Sequence, residues 1–161
     1  MLYLHKMPIF IFLLFNLLSI FACKKEEDFA SIDDQKINAY LQSHQITNYI
    51  IDEPSGIYYQ LIDAPENIKP LNNSEIEVAY TYTIDQSLPS QNSTDLARTR
   101  LKLDEAIIAW QLILPKFSIG TKALLFVPSR FAYGNKGLGT AIPPNTIMVF
   151  YIELLNIHPS F

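Results

Sequence analysis

The stretch Glu75-Ile76-Glu77-Val78-Ala79-Tyr80-Thr81-Tyr82-Thr83-Ile84 alternates polar and apolar residues with the period of two that places every second side chain of a strand on one face. It reads as a strand with Ile76, Val78, Tyr80, Tyr82 and Ile84 on one side, so that Tyr80 points toward the core. Before it, Pro54-Ser55-Gly56 is a turn signal and residues 57–62, rich in tyrosine and isoleucine, read as a second strand; Pro65 and Pro70 break the chain between the two. After it, residues 85–97 hold Pro89 and many Ser, Asn and Gln residues and form a loop. Residues 98–103 can form a short strand, and residues 104–114 a compact helix that Pro115 ends. An apolar strand at 121–128, a Gly- and Pro-containing loop at 129–144 and a β-branched and aromatic strand at 146–157 complete the chain. This order predicts an α+β fold, an antiparallel sheet of about five strands wrapped around one short α-helix.

A spacer helix is expected ahead of the sheet. Ser31 followed by Asp34 is a capping-box signal, and Ile37, Tyr40, Leu41 and His44 recur at helical spacing, which predicts about three turns over residues 33–45. The charged residues 24–32 read as a flexible tether. Further back, residues 7–22 are an almost unbroken apolar run, with His5 and Lys6 before it and Lys24, Lys25, Glu26, Glu27 and Asp28 after it, the layout of a signal peptide. Its 16 positions include Pro8 and Asn16 and fall short of the roughly 20 needed to span a bilayer.

The run closes on Ser19-Ile20-Phe21-Ala22-Cys23, which resembles a lipobox, whose cysteine is lipidated and becomes the mature N-terminus. Cys23 is the one cysteine in the chain, which leaves no intramolecular disulfide and no thiolate metal cluster. Acylation is its expected role; each buried methylene contributes about 0.8 kcal/mol, so two or three acyl chains anchor stably. The expected organisation is a lipoprotein signal peptide at 1–22, a tether and spacer helix at 23–54 and a globular domain at 55–161, held at a bacterial cell envelope on its periplasmic or surface face.

Removal of residues 1–22 leaves 11 basic and 16 acidic residues, a formal charge of −5, which argues against nucleic acid as a partner. His5, His44 and His158 are scattered, and no nucleophile elbow, zinc-protease or phosphate-loop motif is present, so hydrolase, metalloenzyme and nucleotide-dependent chemistry have no foothold. Asp104-Glu105 reads as first-turn helix charge. No metal and no organic cofactor is implied.

What stands out instead is a series of aromatic and aliphatic residues at loop edges: Tyr80, Ile107, Trp110, Tyr133, Ile142 and Phe150. The run from Leu101 to Trp110 (Leu-Lys-Leu-Asp-Glu-Ala-Ile-Ile-Ala-Trp) resembles the pattern F-x-L-x-x-V-I-x-G-W of FKBP-type peptidyl-prolyl cis/trans isomerases. Ser118-Ile119-Gly120-Thr121-Lys122 resembles their M-x-x-G-x-K/R, and Val127-Pro128-Ser129-Arg130-Phe131-Ala132-Tyr133-Gly134 their I-P-x-x-Y/L-A-Y-G. Ile142-Pro143-Pro144-Asn145-Thr146 with Val149 to Leu155 resembles I-P-P-N-x-x-L-x-F-x-V-E-L-L. Val78-Ala79-Tyr80-Thr81 matches the family's V-x-Y-x strand, and the resemblance covers residues 57–157.

The resemblance implies a prolyl-binding cleft with Trp110 as floor and Tyr80, Ile107, Tyr133, Ile142 and Phe150 as walls. Tyr133 and the Ile107 amide would donate hydrogen bonds to the bound peptide. It also implies proline-containing polypeptide clients, and the layout is similar to gliding-motility-associated FKBP-type lipoproteins. With only a short helix before the domain, a monomer is expected. The chain departs from the family pattern where Phe-Asp-Ser-Ser usually follows the tyrosine strand: Ser90-Gln91-Asn92-Ser93-Thr94-Asp95 stands there. Tyr82 and Ala109 occupy usual glycine positions, and Leu138 one where an aromatic or histidine is found. Two readings therefore stay open, a folding isomerase for exported proteins and a catalytically weak or inactive chaperone or assembly module on the same fold.

Overall fold

In the computed structural model, which describes residues 24–84 and 87–158, helix α1 (Lys24–Ser43) precedes six strands. These are β1 (Ile50–Asp52), β2 (Ile57–Asp63), β3 (Glu75–Thr83), β4 (Ala97–Lys102), β5 (Lys122–Val127) and β6 (Met148–His158), with helix α2 (Ile108–Ile113) between β4 and β5. They form one antiparallel sheet in the order β1-β2-β5-β6-β3-β4. The signal-peptide reading of residues 1–22 and the lipidation of Cys23 fall outside the described residues.

The central strands β5 and β6 explain the architecture. Lys122–Val127 is apolar at five successive positions, which a sheet with one solvated face would not tolerate. Ala123, Leu125 and Val127 join Met148, Phe150, Ile152 and Leu154 in a core beneath α2. Leu124 and Phe126 join Val149 and Tyr151 on the opposite face, where Ile37, Tyr40 and Leu41 of α1 cover them. Leu154 lies beside Val78 but Asn156 beside Glu77, so β6 carries a bulge there that bends the sheet around α2.

Three elements differ from expectation. The sheet has six strands because the Pro54-Ser55-Gly56 turn closes a hairpin: the amides of Ser55 and Gly56 donate to the Asp52 carbonyl, and Gly56 takes a φ of +72°. Ile50–Asp52 thereby becomes an edge strand on β2. Helix α1 begins at Lys24 instead of near residue 33; residues 24–31 include Lys24, Lys25, Glu26 and Glu27, all good helix formers, and neither Gly nor Pro, so a charged stretch there is compatible with helix.

The central helix is shorter than the predicted 104–114. Leu103–Glu105 is a separate tight turn, and Ala106 and Ile107 are extended, with ψ of 172° and 149°. Helix α2 proper starts only at Ile108 and gives way to a second tight turn, Leu114–Lys116, that contains Pro115. Proline has no amide to continue the helical ladder.

Candidate active site

The short α2 leaves a cleft of about 280 Å³ on the front of the sheet, lined by residues of β3, β4, β6 and the α2 region together with Tyr133. Trp110, in the middle of α2, is only 5% exposed. Its ring meets Tyr80 of β3 edge-on, with centroids 5.1 Å apart at 83°, and Phe150 of β6 at 5.6 Å and 71°. Edge-to-face packing sets the positive edge of one ring against the negative face of the next and fixes ring orientation. The floor of the cleft is therefore a rigid apolar surface. The indole Nε1 is buried with no hydrogen-bond partner among the described residues.

One wall is the extended Ala106-Ile107 segment. The Gln111 side chain donates to the carbonyls of Asp104 at 3.1 Å and Ala106 at 2.7 Å, tying this segment down to α2. The Ile107 carbonyl accepts the amides of Trp110 and Gln111, while its own amide donates to no partner among the described residues. That leaves a fixed N–H at the lip of the cleft.

The opposite lip carries Tyr133, on the segment that follows the turn Ser129–Phe131. Burial, and then the neighbouring Tyr82 and Tyr80 phenols, push the Tyr133 hydroxyl above its ordinary value. It is therefore a neutral donor throughout the physiological range.

The structure thus brings Tyr80, Ile107, Trp110, Tyr133 and Phe150 to one cleft and leaves Ile142 out of its lining. Ile142, 2% exposed, sits in the front core, where its amide and carbonyl exchange hydrogen bonds with Leu138. A side chain at Gly137 would collide with the Ile142 carbonyl, and Gly137 has a φ of +65°, so this loop turn admits glycine alone.

Sequence reasoning passed over Tyr82, Leu101, Glu105 and Met148, which also line the cleft. Tyr82, 41% exposed, leans on Phe150 at 5.7 Å. The period-two register that placed it beside Tyr80 was the signal for its role. The Ser90–Asp95 region contributes nothing to the lining: the Asp95 carboxylate accepts from Ser90 Oγ at 2.6 Å and Thr94 Oγ1 at 3.2 Å. Among the described residues no cluster of three or more His, Cys, Asp or Glu side chains could hold a metal ion, and no helix is long and apolar enough to cross a membrane.

Comparison with known proteins agrees with this geometry. The sequence profile of the FKBP-type peptidyl-prolyl cis-trans isomerases matches residues 66–155. FK506-binding protein 1 of Eremothecium gossypii is 30% identical over 92 residues, which cover 55% of this chain and 81% of that protein. The outer membrane protein MIP of Legionella longbeachae is 30% identical over 123 residues, 76% of this chain but 53% of MIP, so the chain spans about half the length of that relative. The crystal structure of FkpA from Escherichia coli superimposes with a TM-score of 0.67 at 26% identity, covering 97% of this chain and 74% of FkpA. The chain belongs to the FKBP-type peptidyl-prolyl cis-trans isomerase family and is an enzyme of that class.

Proposed function

We propose that this chain isomerises X-Pro bonds of exported polypeptides at a bacterial cell envelope, to which acylated Cys23 tethers it. The observation that carries the reading is the open aromatic cleft with two unclaimed donors at its lips, the Ile107 amide and the Tyr133 hydroxyl. Rotation about a peptide bond faces a barrier of about 18–20 kcal/mol because the twist destroys amide resonance; for X-Pro bonds the uncatalysed exchange takes tens to hundreds of seconds. No bond breaks, so no nucleophile is required.

The planar amide is more dipolar than the twisted one, and transfer from water into an apolar cleft penalises the ground state more than the transition state. A prolyl ring seated on Trp110 enters that environment. Tyr133 and the Ile107 amide hold the flanking carbonyls so that the twisted form fits better than the flat one. Each 1.36 kcal/mol of such differential binding accelerates the reaction about tenfold, so about 5–7 kcal/mol suffices for a useful catalyst.

The envelope location is supported by the apolar run at 7–22, by the lipobox-like end at Cys23 and by the name of the Legionella relative, an outer membrane protein. The clients are proline-containing polypeptides, the chain acts as a monomer, and the overall layout suits gliding-motility lipoproteins of this family. A second reading, a catalytically weak chaperone or assembly module, is favoured by one observation: Asp95 is bonded within its own loop and supplies no carboxylate to the cleft.

A protease-coupled prolyl-peptide assay on the purified full-length chain separates the two. Isomerisation well above the Trp110→Ala variant supports catalysis, and equal rates for the two proteins leave the binding module. Cys23→Ser is expected to release the protein from membranes; membrane association that survives both Cys23→Ser and a carbonate wash refutes the anchor.

A further inference from the structure

Helix α1 lies wholly outside the stretch that matches the family profile, residues 66–155, yet it reaches the segment that presents Tyr133. Asp33 is 2% exposed. Its Oδ2 accepts hydrogen bonds from the Ser129 amide at 2.8 Å and from Ser129 Oγ at 2.7 Å. Ser129 opens the turn that leads to Tyr133, and its carbonyl accepts the amides of Ala132 at 3.0 Å and Gly134 at 2.8 Å. The Gly134 carbonyl accepts the Asn145 amide at 2.8 Å, and the Asn145 carbonyl accepts Lys36 Nζ at 3.2 Å. Two residues of one helix, a turn apart, therefore grip both ends of segment 129–145.

Backbone bonds such as Gly137 N–H to the Tyr133 carbonyl and the Leu138–Ile142 pair close the turns of this segment, but they do so through residues in uncommon conformations. Gly134, Gly137, Gly139 and Asn145 have φ between +54° and +65°, and Ala132 sits at φ −111°, ψ −107°. Glycine loses more conformational freedom on ordering than any other residue, so ordering a loop with three of them is costly, and contacts from α1 add to the bonds that hold its shape. The contact is also costly to make without purpose. A carboxylate buried at a helix–sheet interface is destabilising unless bonded; here charge-assisted bonds to a backbone and a side-chain donor offset it. An apolar residue would have continued the Ile37, Tyr40, Leu41 stripe.

We propose that Asp33 is a positioning residue for the cleft: through Ser129 it sets the turn that aims Tyr133, and Lys36 steadies the far end. The inference rests on the isomerase reading of the cleft.

The test measures prolyl-peptide kinetics and amide exchange on the purified full-length chain. Asp33→Ala is expected to lower kcat/KM about five- to tenfold, mostly in kcat, because a misplaced Tyr133 hydroxyl is felt in the transition state and costs no more than its removal. Exchange of the Gly134 and Asn145 amides quickens while the β5–β6 amides keep their protection. In a Tyr133→Phe background the same change has little further effect, since both act through one hydroxyl. Asp33→Asn keeps the rate within about twofold of wild type, because the carboxamide oxygen in the place of Oδ2 accepts both the Ser129 amide and the Ser129 hydroxyl.

Should Asp33→Ala not fold, Ser129→Ala removes one of the two bonds and carries the same expectation at about threefold. Unchanged kinetics in these variants overturn the proposal. So do rate losses that add fully to Tyr133→Phe, or a loss of protection spread evenly over the sheet. If the wild-type chain is no faster than Trp110→Ala, the isomerase reading itself fails, whereas the amide exchange of Gly134 and Asn145 still reports whether Asp33 holds the turn.

Discussion

The two faces of the β5–β6 pair are built from alternate residues of the same strands and do opposite work. On the back, α1 is 20 residues long, about 30 Å, and seals Phe126, Leu124, Val149 and Tyr151 beneath Ile37, Tyr40 and Leu41. On the front, α2 is six residues, about 9 Å, too short to cover the sheet. The cleft is the part it leaves open. Both faces carry a buried core, and the face under the short cover also holds the aromatic cleft.

The largest expected effect breaks the back. Phe126 is fully buried and touches Tyr40 at 5.8 Å between centroids, so Phe126→Ala should lose about 3–5 kcal/mol in urea unfolding. The isomerase rate per folded molecule should be preserved. A rate that falls in step with stability would mean that the two faces are not separable.

The next effect is expected on the front alone. Tyr133→Phe removes one hydroxyl, worth about 0.5–1.5 kcal/mol as a hydrogen bond; kcat/KM should drop about 2- to 12-fold with the urea midpoint nearly unmoved. Because burial and the Tyr82 and Tyr80 phenols raise the Tyr133 value, the hydroxyl stays protonated above pH 10. The ratio of wild-type to variant rates should be constant from pH 7 to 9, and a ratio that decays across that range would count against Tyr133 as the donor.

The smallest effect compares that tyrosine with its counterpart on the back. Tyr151 Oη donates to Glu153 Oε1 at 2.7 Å, and burial first, then this bond and the Glu153 charge, raise its value. A phenol raised on folding contributes stability that is complete below its unfolded value of about 10 and is lost as pH rises through the folded value. Tyr151→Phe should cost about 1 kcal/mol at neutral pH and flatten the fall in stability above pH 10. An unaltered alkaline limb would remove Tyr151 from that account.

Much of the front face was legible because its residues sit in local patterns. Period two put Tyr80 and Tyr82 on one side of β3, and the order of Tyr80, Trp110, Tyr133 and Phe150 along the chain carried the family resemblance. Ile142 stood in the same series, yet the structure buries it in the core, bridged through its backbone to the exposed Leu138. Its apolar character serves wall and core equally, so residue type could not choose. The back face was half legible: Ile37, Tyr40 and Leu41 marked a helix, but nothing local said which strands it would cover.

Periodicity, the unbroken apolar run of β5 and the lack of a nucleophile or metal motif belong to the sequence by itself, because each follows from neighbours a few positions apart. The size of the opening beside Trp110, the withdrawal of Ile142 and the bond from Asp33 to Ser129, 96 positions apart, were decided only in three dimensions. Such contacts depend on how far two helices of unequal length extend over one sheet, and that distance is a property of the packed chain.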